Sequence, residues 1–227
     1  AEVFNRRRHR QLRRAEAQVV QPPPNARYVY IPLHYEPERT SNPDGGRFGD
    51  QVRMVDYVAA AVLHSGYTVL VKDHPSQFHP LMQGAQGRSP EFYRAVDSLP
   101  NVQFCDHRTS QRELIRRASA VVSLTGTSCL EAAILGVPAM TLGFPWFAGC
   151  PGVRMHQHGG DLQKDLLSSH SAVAEEEIRE FLTRLLTQEG VLGIVNPSNE
   201  ELYTDELEVV RRSEESGQFA QSVVDAI

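Results

Sequence analysis

The sequence is poor in cysteine and in aromatic residues, and it has no long apolar run. Its 227 residues include three cysteines, one tryptophan and 7% aromatic residues. The cysteines form no CxxC pair, which argues against a disulfide framework or a zinc site and favours a reducing compartment. No apolar stretch reaches the roughly 18 to 20 residues of a membrane-spanning helix, and the charged first residues do not resemble a signal peptide. These features predict a cytoplasmic globular protein.

Positive charge is concentrated at the beginning of the chain. The net charge is −5, yet residues 1–14 contain six arginines and one glutamate, so residues 15–227 carry −10. A protein with this distribution is not expected to bind nucleic acid through a uniformly basic surface. The basic segment could contact phosphates or an anionic membrane surface in a peripheral association, but such runs are more typical of a solvated helix or a connector.

Three consecutive prolines, Pro22–Pro24, predict an extended linker and a domain boundary after the basic segment. We expect residues 1–25 to form an arm and linker, residues 26–190 to form the main domain, and residues 191–227 to form an acidic helical extension. The helices predicted in the C-terminal part are 175–186, 199–212 and a stretch from 218 onward.

Between residues 26 and 150, short apolar runs alternate with amphipathic stretches. Five alternations predict the α/β class, with a parallel sheet and helices on both of its faces. After residue 150 the pattern is mostly helical. The predicted strands are 28–31, 67–71, 101–105, 120–124 and 137–142. The predicted helices are 51–63, 90–99, 110–117 and 128–135.

The loops at the carboxyl ends of the strands are the places to look for a site, because open parallel sheets bind ligands there. The first strand is followed by a long loop, 32–46, that is dense in titratable side chains. The second strand ends in Lys72-Asp73-His74-Pro75, where the proline restricts the backbone of His74. His74 could donate a hydrogen bond to a phosphate, or it could simply be satisfied by a neighbouring backbone group. Lys72 and Asp73 point to opposite faces, and either could reach the sheet edge.

The fourth strand runs through Thr125-Gly126-Thr127-Ser128 into a helix that carries Glu131. Backbone N–H groups at a helix N-terminus suit a phosphate, and Glu131 could accept hydrogen bonds from a ribose diol. The alternative is that Thr127 or Ser128 only caps the helix and that Glu131 only complements its dipole.

Other motifs are weak or absent. His156 and His158 have the spacing of metal ligands, but no carboxylate or cysteine stands out beside them, so no metal is predicted. Ser123 and Cys129 lack the setting of a catalytic nucleophile. The sequence has neither GxGxxG after its first strand nor GxxxxGK[ST], which disfavours dinucleotide-binding and P-loop functions.

Three segments together resemble the bacterial capsule polysaccharide biosynthesis proteins, a group that includes the Kdo transferases of capsule and lipopolysaccharide assembly. The segments are PLHYEPERT at 32–40, KDHP at 72–75 and SLTGTSCLEAAILGVP at 123–138, within a resemblance that covers about residues 27–147. It implies a GT-B fold, in which two Rossmann-like domains face a cleft, and it implies that this chain is the C-terminal, donor-binding domain. The basic arm would then be the remnant of a connector to an N-terminal acceptor domain.

The resemblance also implies a substrate and assigns roles to residues. The donor would be a CMP-activated sugar acid, Kdo or a related nonulosonate, and the acceptor a glycan or glycolipid at the inner face of the bacterial inner membrane. His74 of the HP motif, with Pro75, would contact the CMP phosphate and stabilise the leaving group. The turn Thr125–Ser128 would also contact phosphate. For the ribose, Glu131 is favoured over Glu113.

The loop after the first strand is expected to serve the donor sugar. His34, Glu36 and Arg39 could reach the sugar carboxylate or close the cleft, and Arg39 is the natural carboxylate partner. Glu36 is a second catalytic candidate beside His74, although the catalytic carboxylate of these enzymes usually comes from the N-terminal domain. Asp73 stands where many relatives have glutamate. No cofactor or metal is required when protein donors neutralise the phosphate.

Three rival functions remain open. CDP-alcohol phosphotransferases of the teichoic-acid type also have a K-x-HP segment, but their tyrosine-serine-serine turn is replaced here by Thr125–Ser128. A UDP-sugar transferase or epimerase would share a helix like 126–136 but does not usually have the HP pair. The third rival is a non-catalytic module that binds a nucleotide sugar.

Overall fold

The fold is built on a six-stranded sheet whose neighbouring strands are all parallel. The structure is a computed structural model that describes residues 25–37, 45–79, 82–157, 159–168 and 173–185. The strands are β1 (Tyr28–Pro32), β2 (Thr68–Lys72), β3 (Val102–Cys105), β4 (Ala120–Ser123), β5 (Ala139–Thr141) and β6 (Val153–Met155). Their order is β3-β2-β1-β4-β5-β6, which is the order of Rossmann sheets.

The α-helices connect the strands from β1 to β5, as parallel pairing requires, and two follow β6, whereas residues 142–152 join β5 to β6 without a helix. They are α1 (Gln51–Val62), α2 (Gly84–Gly87), α3 (Pro90–Asp97), α4 (Gln111–Arg117), α5 (Ser128–Ile134), α6 (Leu162–Leu167) and α7 (Glu175–Arg184). Two short 3₁₀ helices, Gly46–Phe48 and Pro75–Phe78, lie in the loops after β1 and β2. No helix of the described residues is long and apolar enough to cross a bilayer.

Both faces of the sheet are covered, because successive side chains of a strand point to opposite faces. On one face, Val29 and Ile31 of β1 belong to a buried apolar cluster with Val58 of α1, and α1 also packs against α3 and α6. On the other face, the Tyr28 hydroxyl donates a hydrogen bond to the Leu114 carbonyl of α4 at 2.7 Å. Helix α5 packs against α4, β4 and β5. The predicted class, an α/β Rossmann-like parallel sheet with helices on both faces, is confirmed.

The elements differ from their predicted bounds mostly by one or two residues, as helix and strand ends usually do. The C-terminal part departs further, since the expectation of a mostly helical pattern after residue 150 missed β6. Strand β6 has only three residues, none of them buried, and it pairs in parallel with β5. Its sequence therefore carries no apolar run that would distinguish it from a loop, and only the neighbouring strand makes it a strand.

The chain divides into two compact units, Ala1–Ala172 and Val173–Ile227. In the second unit the structure describes α7, which has three glutamates in its first turn, as suits the positive end of a helix dipole. The boundary predicted at 190/191, the arm before residue 25 and the helices predicted at 199–212 and beyond 218 lie outside the described residues and stay predictions.

Helix α1 begins beside the loop that follows β1, and Asp50 caps it. The Asp50 carboxylate accepts a hydrogen bond from the Val52 N–H at 3.0 Å. We predict that Asp50→Ala lowers the free energy of unfolding by about 1 kcal/mol, because a helix N–H loses its acceptor. Asp50→Asn keeps an acceptor oxygen and should stay close to wild type in urea unfolding. Equal losses in the two variants would assign the effect to the charge of Asp50, which also lies 3.8 Å from Arg53, rather than to the capping hydrogen bond.

Candidate functional site

A cavity of about 200 Å³ opens at the carboxyl ends of β1, β2 and β4. Strands β1 and β4 are neighbours in the sheet, but the chain continues from β1 to β2 on one side and from β4 to β5 on the other. Open α/β sheets bind ligands at this crossover. Its lining residues are Tyr30, Pro32, Leu33, His34, Tyr35, Lys72, Asp73, His74, Pro75, Gln111, Ser123, Gly126, Thr127 and Ser128. The structure thus brings together three loops that the sequence analysis singled out separately.

The buried imidazole of His34 joins the loop after β1 to the turn after β4. Its Nε2 accepts a hydrogen bond from the Thr125 N–H at 3.4 Å and lies 3.2 Å from the Ser123 hydroxyl. The Ser123 oxygen in turn accepts from the Gly126 N–H at 3.2 Å. Since Nε2 accepts, we assign the proton of the neutral ring to Nδ1.

His34 is uncharged at neutral pH. Burial, followed by the positive charges of His74 and Arg88, lowers its pKa from 6.5 to about 4. Protonation would also place a donor opposite the Thr125 N–H, so the arrangement requires the neutral ring.

Two glutamines hold the backbone of the loop after β1. Gln51, the first residue of α1, accepts from the His34 N–H at 2.9 Å and donates to the Glu36 carboxylate at 2.6 Å. The amide of Gln77 accepts from the Glu36 N–H at 2.9 Å and donates to the Glu36 carbonyl at 3.1 Å. The carboxylate of Glu36, the second catalytic candidate, is therefore bonded to Gln51 and does not line the cavity.

A buried ion pair lies beneath the cavity. Arg88 Nη2 is 3.4 Å from an oxygen of Asp73, and both side chains are almost completely buried. The same guanidinium donates to the His34 carbonyl at 2.9 Å and lies 4.0 Å from the centre of the Phe92 ring. Burial raises the pKa of Asp73 above its ordinary value, and the charge of Arg88 opposes this effect. The pair connects the loops that follow β1 and β2.

His74 stands at the mouth of the cavity, where its side chain is exposed. Its Nδ1 accepts a hydrogen bond from the Ser76 N–H at 3.2 Å, which caps the 3₁₀ helix Pro75–Phe78. The ring also lies edge-on to Tyr35, with centroids 6.2 Å apart. Because Nδ1 accepts, the proton of the neutral ring belongs on Nε2. A neighbouring backbone N–H therefore satisfies Nδ1 of His74, as the structural alternative in the sequence analysis predicted. The donor proton of the neutral ring is then carried by Nε2.

The turn before α5 approaches the His34 ring closely. A Cβ atom added at Gly126 would lie 2.7 Å from the Ser123 hydroxyl and 3.4 Å from His34 Nε2, so a side chain there would displace this pair. Thr127 is the N-cap residue of α5, but its side chain makes no capping hydrogen bond. The alternative that Thr127 only caps the helix is therefore not supported.

Lys72 is the last residue of β2, and it lines the cavity with 4% of its surface exposed. Strand alternation had left open whether Lys72 or Asp73 reaches the sheet edge, and both line the cavity. Burial lowers its pKa below the ordinary value, while Cys105, Glu131 and Asp106 act in the opposite direction. The sequence analysis did not include it among the site residues.

The two candidates for the ribose lie outside the cavity wall. The Glu131 carboxylate accepts from the Gln111 amide at 2.9 and 3.0 Å, and it is Gln111 that lines the cavity. Glu113 is exposed on α4, where its N–H donates to the Ser110 hydroxyl. Arg39, the proposed carboxylate partner, lies outside the described residues.

The remaining candidates are occupied by structural contacts. Burial raises the pKa of Cys129 to about 12, and its thiol donates to the Met140 carbonyl. His156 contacts the Tyr57 hydroxyl at 2.8 Å and lies 3.7 Å from an Asp165 oxygen. No group of three potential metal ligands occurs in the described part of the chain, and His158 lies outside it.

Sequence reasoning missed Gln51, Gln77, Arg88 and Gln111. Each is a polar residue in or beside a helix or a glycine-containing segment, where a solvent-exposed position is the ordinary expectation. A local signal exists only for Arg88, which follows Gly84 and Gly87. At these two positions an added Cβ would lie 2.3 Å from the backbone of Gln77 and of Glu36, respectively.

The sequence belongs to a defined family. Residues 4–186, more than half of the chain, match the family described as Capsule polysaccharide biosynthesis protein. The chain is therefore a capsule polysaccharide biosynthesis protein family member, as the three motifs indicated. No curated protein matches it significantly.

Solved structures with a similar fold include two Kdo transferases and an epimerase. Thermosulfurimonas dismutans KpsC, beta Kdo 2,7 transferase, is 15% identical with a TM-score of 0.48, over 79% of this chain and 53% of that chain. The beta Kdo 2,4 transferase of the same KpsC is 17% identical with a TM-score of 0.46, over 78% and 53%. The UDP-GlcNAc 2-epimerase of Methanocaldococcus jannaschii is 15% identical with a TM-score of 0.44, over 75% and 48%. The chain spans about half the length of these structures.

The close approach at Gly126 predicts a coupled pair of substitutions. Gly126→Ala should lower the free energy of unfolding by about 1–3 kcal/mol, because its methyl group clashes with the Ser123 hydroxyl. Ser123→Ala removes that oxygen, so the double variant should be more stable than the sum of the two single losses allows. Additive losses in urea unfolding would contradict the contact.

The neutral state of His34 predicts a dependence of stability on pH. Above pH 6.5 the ring is neutral in both folded and unfolded chains, whereas between about 4 and 6.5 only the unfolded chain takes up the proton. Wild type should therefore lose up to about 3 kcal/mol as the pH falls from 7 to 4, through this residue alone. His34→Gln has no titrating group at this position. The difference between wild type and His34→Gln in the free energy of unfolding, measured with urea, should therefore shrink by up to about 3 kcal/mol as the pH falls from 7 to 4. A difference that does not change with pH would exclude a buried neutral ring.

Proposed function

We propose that the chain is the donor-binding domain of a capsule glycosyltransferase and that it binds a CMP-activated sugar acid such as CMP-Kdo. The observation that carries the proposal is the cavity at the β1/β4 crossover, where His74 and the turn Gly126–Ser128 line one space. Membership of the capsule polysaccharide biosynthesis family supports it. In this proposal the Rossmann-like domain is one lobe of a GT-B enzyme, and an N-terminal acceptor domain supplies the other wall of the cleft.

The polar lining suits an anionic ligand. Among the described residues of the cavity wall, Asp73 is the only acid, and its charge is opposed by Arg88. The side chains of His74, Thr127 and Ser128 offer donors to the same space. Hydrogen bonds from such donors to a phosphate are charge-assisted and therefore stronger than those between neutral groups.

The proposed chemistry acts on the leaving group. The bond between the anomeric carbon and the phosphate oxygen breaks, CMP departs with the electron pair, and an acceptor hydroxyl forms the new glycosidic bond and loses its proton. The Nε2–H of His74 donates a hydrogen bond to the phosphate and so stabilises the charge that develops as the bond breaks. We assign no base for the acceptor proton within the described residues.

The remaining residues receive more distant roles. His34 lines the cavity and stays a candidate neighbour of the donor sugar. Glu131 stays the favoured ribose contact. Because Gln111 donates hydrogen bonds to its carboxylate, Glu131 would contact the ribose either through Gln111 or after Gln111 moves aside. Glu36 acts through Gln51 on the backbone of His34, which makes it a positioning residue in this proposal.

Nucleotide binding to the full chain tests the proposal. CMP should raise the melting temperature of wild type, and His74→Ala should weaken CMP binding about tenfold or more, because a hydrogen bond to a charged group is lost. His64→Ala removes an exposed histidine of the same domain, outside the cavity lining, and should behave as wild type.

The choice of nucleotide separates the rival functions in the same titrations. A shift with UDP that does not depend on His74, together with none for CMP, would replace the proposal by a UDP-sugar enzyme. A preference for CDP over CMP would favour a CDP-alcohol phosphotransferase. Binding of CMP unaffected by His74→Ala would remove His74 from the phosphate site.

A further inference from the structure

We propose that Lys72 is a cationic ligand of the donor site and that its ammonium binds an oxyanion of the substrate, either the phosphate or the sugar carboxylate. The inference rests on the proposed function and adds a residue to which no role has been assigned. It is based on the position of Lys72, on its burial and on the absence of a described acidic residue in contact with it.

The position of Lys72 directs it to the ligand space. It ends β2 beside Pro32 of β1 and Cys105 of β3, and it is part of the cavity wall. The residue is almost fully buried, with 4% of its surface exposed, and it lines the cavity. The accessible part of Lys72 therefore faces the cavity rather than the packed core.

Lys72 also has no partner within the part of the chain that the structure describes. Among the described residues, its ammonium makes no hydrogen bond and no ion pair, and the nearest acids act on it only at longer range. Among the described residues, the two acids that act on it are engaged elsewhere, Glu131 by Gln111 and Asp106 by Arg108. Buried charges are ordinarily paired, because removing an ion from water costs several kcal/mol. A bound oxyanion supplies the missing partner.

The amino-acid composition makes the lysine at this position informative. Of the 23 basic residues of the chain, 21 are arginines, and Lys72 and Lys164 are the only lysines. A lysine presents a compact point charge, whereas an arginine presents a planar fork that would fill more of a cavity of about 200 Å³. Lys164 is exposed on α6 and serves as an internal control.

Ligand binding by the full chain tests the role of Lys72. By calorimetry, Lys72→Met should bind CMP about 10- to 100-fold more weakly than wild type, since a charged hydrogen bond is lost, and should bind cytidine equally well. Lys164→Met should match wild type for both ligands. If the carboxylate is the partner, CMP affinity should stay unchanged and the affinity for free Kdo should fall instead. Unchanged affinity for both CMP and Kdo would overturn the proposal.

Chemical labelling of the unmodified chain gives a second readout that does not depend on how a variant folds. Acetylation of Lys72 by an amine-reactive ester, read by mass spectrometry, should slow about tenfold or more when CMP or inorganic phosphate saturates the site. If Kdo is the partner, Kdo should protect instead, and Lys164 should be unaffected throughout. No protection by any of the three ligands would overturn the proposal.

The same experiments distinguish a failure of the proposed donor-binding function from a failure of the role proposed for Lys72. Protection by inorganic phosphate without any binding of CMP, CDP or UDP would retain Lys72 as an anion ligand and reject the donor-binding function. If CMP binding depends on His74, while Lys72→Met leaves the affinities for both CMP and Kdo unchanged and no ligand protects Lys72, the function is retained and the role of Lys72 is rejected.

Discussion

The buried pair of Arg88 and Asp73 is the interaction on which the geometry of the site depends. Two charges removed from water require close partners, and removal of one member of such a pair typically costs about 3–5 kcal/mol. Asp73 follows β2, and Arg88 also donates to the backbone carbonyl of His34 after β1. One guanidinium thus holds two strand ends together, and the cavity lies between the loops that it joins.

This arrangement also sets the electrostatic character of the cavity. The charge of Arg88 opposes that of Asp73, while burial and the positive charge of Arg88 keep His34 neutral. What remains at the cavity wall are the polar donors of His74 and the turn before α5, together with the ammonium of Lys72. A site built in this way favours an anion without requiring an exposed cluster of arginines, which is consistent with the net negative charge of the chain.

The local sequence was a good guide to the elements and a poorer one to the contacts. Strands β1 and β4 are buried throughout and mostly apolar, and helix α5 ends before Gly136, whose φ of +69° suits glycine. Strand β6 has no such signal. The residues that contact His34 lie 17 to 91 positions away in the chain, which no spacing rule can connect.

The sequence by itself determined the α/β class, through the order of its apolar runs and its turn residues. The short HP and hydroxyl-rich motifs indicated the edge of the sheet at which the candidate site lies. These are local properties, since a strand, a helix end or a proline-restricted backbone depends on its immediate neighbours. Which polar residues meet there was decided by the tertiary structure alone. Gln51 and Arg88 have the sequence character of ordinary surface residues. They become part of the site because strand pairing carries distant loops to one edge, where the buried amide and guanidinium groups find partners.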